Sequence, residues 1–124
     1  MIVLVDSDIL IEVSRGKDLA IVSRWIELSH SEAAVLYSPV SLAELWAGAR
    51  PAEHKILEDL FASLTCVPIT AAIARLAGAY LLKYAKSNSV ELGDALIAAC
   101  THSTGALLWT RNRKRYPMKD LSFF

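Results

Sequence analysis

Only two cysteines, Cys66 and Cys100, occur in 124 residues, with no CxxC and no histidine at zinc-ligand spacing, so neither a disulfide framework nor a zinc site is supported. Both read as small core residues of a reducing compartment. No apolar run is long enough to span a bilayer, and the N-terminus has a strand-like run followed by acids where a signal peptide would have a basic region and a cleavage site. A cytoplasmic protein with no membrane partner is therefore expected. Net charge is lacking too. Thirteen Lys and Arg balance 13 Asp and Glu, which excludes a global basic field for nucleic acid and leaves room only for a local patch. Repeats, low-complexity segments and linkers are also absent, so 1–124 is expected to form one domain.

Apolar residues are plentiful. They make up 54% of the chain, with a mean hydropathy of +0.37, enough for a well-filled core and some apolar surface to spare for a partner. Ile2 to Val5 reads as a strand buried on both faces of a parallel sheet, stopping on Asp6-Ser7-Asp8. Asp6 or Ser7 can cap a short helix at Ile9 to Val13, ended by Gly16, and Asp18 caps an amphipathic helix to about Ser29. Ala34 to Val40 reads as the second strand with Pro39 at its end, and Ser41 as the N-cap of a helix to Arg50, with Glu44 at the capping-box position. Pro51 opens a helix over 52–64, Cys66 to Ile69 suits an edge strand, and Thr70 caps a slim, Ala-rich helix to Lys86 that permits close helix approach. The most apolar helix runs from Glu91 to Thr104, stopped by Gly105. Ala106 to Thr110 (ALLWT) is a buried strand, Arg111 to Lys119 a basic loop, and Leu121 to Phe124 a last strand. This alternation predicts an α/β fold, a mostly parallel sheet of four to five strands with helices on both faces.

Asp6, Glu44, Asp94 and Asn112 all fall at strand ends or in first helical turns, places that converge on one crevice in a doubly wound sheet. Each has a purely structural explanation: a helix cap for Asp6, a capping box for Glu44, the helix dipole for Asp94, a turn for Asn112. Those explanations do not predict that three carboxylates and an amide share one edge. No Lys or Arg lies within a few residues of the three acids. Converging, they would repel, and removing the Asp94 charge would then stabilise the metal-free protein. A hard divalent cation would relieve this, and oxygen-only ligands suit Mg²⁺ or Mn²⁺ better than zinc. His30, His54 and His102 fall on polar helix faces or helix ends and read as surface residues.

Four segments, VDSDIL (Val5 to Leu10), SPVSLAELWAGAR (Ser38 to Arg50), LGDALIAAC (Leu92 to Cys100) and LLWTRNRKRYP (Leu107 to Pro117), occur in an order and at spacings that resemble a PIN domain, and within that superfamily the VapC-type toxins. The resemblance covers nearly the whole chain. It implies a PIN-like three-layer sandwich and a Mg²⁺- or Mn²⁺-dependent endoribonuclease, usually a homodimer, held inactive by a cognate antitoxin. Carried over, the catalytic acids and metal ligands fall on Asp6, Glu44 and Asp94, with Asn112 and Thr110 completing the site and Asp8 as a supporting acid. Many PIN domains have a fourth acid in this tail; here Asn112 is followed only by basic residues up to Arg115.

The expected reaction is hydrolysis of an RNA phosphodiester by an activated water, leaving a 3′-hydroxyl and a 5′-phosphate. Arg111, Arg113, Lys114 and Arg115, with Lys119 beyond, supply the local patch for RNA phosphates. Two other readings compete. Asp6-Ser7-Asp8 resembles the D-x-D of haloacid-dehalogenase-type phosphatases, with Asp6 as nucleophile, although Leu10 stands where Thr is expected. A PIN-like module that binds RNA or protein without cutting is the other.

Overall fold

The structure, a computed structural model, describes residues 1–124. Its sheet has five strands: β1 (Ile2–Val5), β2 (Ala34–Tyr37), β3 (Thr65–Cys66), β4 (Leu107–Trp109) and β5 (Ser122–Phe123). They run in the order β3-β2-β1-β4-β5, with every pair parallel. Val3 pairs with Val35 on one side and Leu107 on the other, so β1 is central and its side chains are covered on both faces. Strand periodicity divides them: Val3 and Val5 enter one core and Leu4 the other.

Helices α1 (Ser7–Arg15), α2 (Leu19–Ser29), α3 (Pro39–Ala47) and α4 (His54–Ala62) cover the first face, where Ile9, Leu10, Leu28, Leu45 and Phe61 pack with Trp109. Helices α5 (Ala71–Asn88) and α6 (Leu92–Thr104) cover the second, where Ile73, Ala77, Ala95 and Ala98 pack with Leu4 and Leu108. The expected three-layer α/β sandwich is present, and the sheet is wholly parallel. The small residues of α5 serve in part inside the chain, since Ala77 is buried in the cluster that α6 shares. Gly16 and Gly105 both take φ of +68° and stop α1 and α6, a conformation open to glycine at little cost. No helix is long and apolar enough to cross a membrane.

Three local expectations need correction. The N-cap of α3 is Ser38, whose side chain accepts from the Val40 N–H at 3.2 Å, and Pro39 takes the first helical position. Proline fits there because that position has no use for an N–H and needs its fixed φ. β2 accordingly ends at Tyr37, Ser41 lies buried inside the helix, and Glu44 is not a capping-box residue. Cys66 is exposed on its two-residue edge strand, whereas Cys100 is fully buried as a core residue should be. The basic loop contains a 3₁₀ turn, Arg113–Arg115, which carries Arg115 to the site described next.

Candidate active site

After β1 the chain leads toward β2, while the strand on the other side, β4, leads to β5 at the opposite edge. Neighbouring strands whose continuations diverge leave a crevice beyond their carboxyl ends. Asp6 and Thr110 are the first residues past these two ends. The Asp6 N–H still donates to the Trp109 carbonyl at 2.9 Å, which fixes the backbone where the carboxylate begins. Asp6 is 7% exposed. Its Oδ1 accepts from the Ser7 N–H at 2.8 Å, and its Oδ2 accepts from the hydroxyls of Thr110 at 2.8 Å and Tyr116 at 3.0 Å.

Burial, then the charge of Asp8, pushes the Asp6 carboxyl up from 3.8 to about 6, and its three hydrogen bonds offset only part of this. Tyr116 is itself buried, and burial followed by the nearby Asp6 charge raises its hydroxyl well above the usual tyrosine range. It therefore stays a neutral donor. Asp8 Oδ2 accepts from the Arg111 N–H at 3.0 Å, but Asp8 Oδ1 is buried with no hydrogen-bond partner. Burial is also the leading cause of the raised Asp8 carboxyl.

Glu44 reaches this place through a relay on the first turns of α1 and α3. The Ser7 hydroxyl lies 2.8 Å from the Ser41 hydroxyl and 3.1 Å from Glu44 Oε1, donating to one at a time. α6 closes the far side: a Cβ on Gly93 would lie 3.4 Å from Val40 and 3.9 Å from Glu44 Oε1, in van der Waals contact with both, so the helix start packs directly against α3. Asp94, next in the chain, uses Oδ2 to accept from the Glu91 N–H at 3.0 Å, so it does cap its helix. The same oxygen lies 3.5 Å from Arg115 Nη1. No Lys or Arg stands near Asp94 along the chain, yet the fold brings Arg115 to it, so the expectation that nothing but a metal ion would offset this acid is corrected.

The remaining sites are distributed unequally. The Asn112 N–H donates to the Thr110 hydroxyl oxygen at 3.0 Å and its carbonyl accepts from Arg115, so its backbone shapes the turn while its side chain is exposed. Arg111 pairs with Glu12 at 3.1 Å, Arg113 lies 4.7 Å from the centre of the Phe123 ring, and Lys114 is exposed without an ion pair. His102 pairs with Asp120 at 3.2 Å, away from the crevice. Sequence reasoning missed Ser7, Ser41 and Tyr116. The signals it passed over were a serine between two acids and an aromatic residue inside a basic run.

No three acidic, His or Cys side chains stand close enough to hold a metal ion as they are, and the Asp94 carboxylate is turned to the Glu91 amide and Arg115. By chemistry the set still fits a hard divalent cation. Asp6 and Glu44 are oxygen donors joined through Ser7, and Asp8 Oδ1 is an orphan acceptor.

Residues 3–121 match the family described as PIN domain. Among curated proteins the chain is similar to ribonuclease VapC10 of Mycobacterium tuberculosis, 39% identical over 117 residues, covering 94% of this chain and 86% of that protein. It is also similar to ribonuclease VapC19 of the same organism, 32% identical, covering 93% and 92%. Among solved structures it resembles VapBC2 from Rickettsia felis bound to a promoter DNA fragment, with TM-score 0.84, 18% identity and coverage of 100% and 98%. VapBC-1 from nontypeable Haemophilus influenzae gives TM-score 0.81, 22% identity and coverage of 100% and 97%.

Proposed function

The chain belongs to the PIN-domain family, and from that premise we propose that it is an endoribonuclease, the toxin of a VapBC-type toxin–antitoxin pair, dependent on Mg²⁺ or Mn²⁺. The observation that carries this reading is one crevice in which a buried Asp6, oriented by Thr110 and Tyr116, is joined through Ser7 to Glu44. Asp6 and Glu44 would hold the ion, with Asp8 in support, while Asp94, the third acid expected there, is turned to the Glu91 amide and Arg115. When bound, it would supply acidification of water and neutralisation of charge on the phosphoryl and leaving oxygens.

The side chains of this protein do the rest. Thr110 and Tyr116 hold Asp6 Oδ2 in one direction, so the carboxylate need not reorganise during the reaction. Ser7 steadies Glu44. Lys114, free of ion pairs, and the exposed Arg111 and Arg113 bind RNA phosphates at the rim, next to Asn112. Asp6 is a poor nucleophile for a phosphatase, since it is 7% exposed and both its oxygens already accept hydrogen bonds. The partners in this reading are RNA, a cognate antitoxin and a second copy of the chain. Its support on this molecule is the exposed apolar side chains, including Leu82 at 92% and Leu19 at 78% exposure.

Purified protein freed of antitoxin and given end-labelled RNA is expected to cut with Mg²⁺ or Mn²⁺ and to stop with EDTA. Glu44→Gln should lose at least about a hundredfold, as befits an ion-holding residue whose supporting shell alone is worth 10- to 100-fold. Metal-independent cutting, or full activity in the Glu44→Gln protein, would overturn the assignment.

A further inference from the structure

Two consecutive residues of the basic tail reach the crevice from opposite sides. Tyr116 donates to Asp6 at 3.0 Å, and Arg115 Nη1 lies 3.5 Å from Asp94 Oδ2 and 3.9 Å from Glu91 Oε2. The placement is built in. The 3₁₀ turn is closed by the Arg115 N–H on the Asn112 carbonyl at 3.1 Å and the Tyr116 N–H on the Arg113 carbonyl at 3.0 Å, and the buried Tyr116 anchors it. The Asp94 side chain is only 13% exposed, so its pairing is less screened than that of a surface ion pair.

We propose that Arg115 is the resident cation of the Asp94 side of this crevice, so that the protein takes up one divalent cation, centred on Asp6 and Glu44, instead of two. This rests on the metal reading above. Two-metal sites hold their ions roughly 4 Å apart and need shared carboxylates to offset four positive charges. Here the Asp94 carboxylate is already matched by a guanidinium, which never deprotonates in a protein and repels a second dication at any working pH. Asp8 lies on the Asp6 side, beside Thr110, and its Oδ1 is buried with no hydrogen-bond partner, so the acceptor left without a donor is on that side. Arg115 acts here through Asp94, as a positioning and charge-matching residue.

Titration calorimetry with Mn²⁺, checked by the electron paramagnetic resonance of free Mn²⁺, is expected to give one ion per chain for the wild type and for Arg115→Lys. Arg115→Ala should bind Mn²⁺ about three- to tenfold tighter, the effect of removing one positive charge several ångströms from a dication in a partly screened site. Melting in EDTA would show that each variant is folded. Two ions per wild-type chain, or binding by Arg115→Ala that is no tighter than wild type, would overturn the proposal while leaving the metal reading in place. Absence of Mn²⁺ binding by the wild type and both variants would overturn the metal reading and this proposal with it.

Discussion

Asp6 and Asp94 each accept a backbone N–H at the start of a helix, α1 on one face of the sheet and α6 on the other, yet their charges are handled in opposite ways. Asp6 is met by two hydroxyls and an amide, all neutral, while Asp94 is met by an amide and a guanidinium. Burial explains the choice. Asp6 sits at the end of the central strand, where a guanidinium would itself have to be desolvated, whereas the partner of Asp94, Arg115, keeps about half of its side chain in water. Neutral donors orient a carboxylate without cancelling its charge. The Asp6 side is therefore aimed but uncompensated, with its carboxyl raised to about 6, and the Asp94 side is compensated from within.

The widest separation between the two sides should come from Tyr116→Phe, which removes a neutral donor to Asp6 and leaves Arg115 alone. Metal-dependent cleavage is expected to fall about 10- to 100-fold, the usual effect of losing an outer-shell partner. Its pH midpoint should also move up, because the Tyr116 hydrogen bond is one of the contacts that lower the Asp6 carboxyl. An unchanged rate and midpoint would show that Tyr116 serves packing only.

A smaller effect, of opposite sign on the two sides, is expected in metal-free stability. Asp6 has a folded value of about 6 against 3.8 unfolded, so the folded state holds its proton longer and stability falls as pH rises between those values. Above pH 6 the full penalty of about 3 kcal/mol applies. Asp6→Asn removes it and gives up the Ser7 hydrogen bond, worth about 1 kcal/mol, so in EDTA at pH 7.5 it should be about 1–2 kcal/mol more stable than wild type. Near pH 4 that gain should vanish. Thermal melting at both pH values checks this, and a gain that persists at pH 4 would assign it to packing.

The smallest effect belongs to Asp94→Asn. It gives up a partly exposed ion pair and a favourable charge at a helix N-terminus, so in EDTA at neutral pH it should melt lower, by up to about 1 kcal/mol, and less so in high salt. This is the reverse of what three unneutralised acids would require. A rise in melting temperature would break the contrast and restore mutual repulsion as the dominant effect.

Much of this molecule could be read along the chain. The apolar run at Ile2 to Val5 followed by an acid, the ALLWT strand followed by Thr110, and the alternation of elements all rest on periodicity and end signals that neighbouring residues carry. Asp6 and Thr110 could therefore be placed at strand ends from order alone, and the parallel pairing of β1 with β4 makes them neighbours. The α3 cap was misplaced because Ser38 and Ser41 both suit a cap in isolation, and the proline between them decides for Ser38.

How the charges are matched was settled only in three dimensions. Tyr116 lies 110 positions from Asp6, and Arg115 meets an acid on a different element. Counting basic residues near an acid in sequence could not find either, because hydrogen bonds and Coulomb forces depend on distance through space. Periodicity is a local property that chain order records, so the sequence by itself determined the layers and put acids at the sheet's edge. Desolvation and pairing depend on what the fold stacks around each carboxylate, so the tertiary structure alone decided which acid stays uncompensated and which one Arg115 matches.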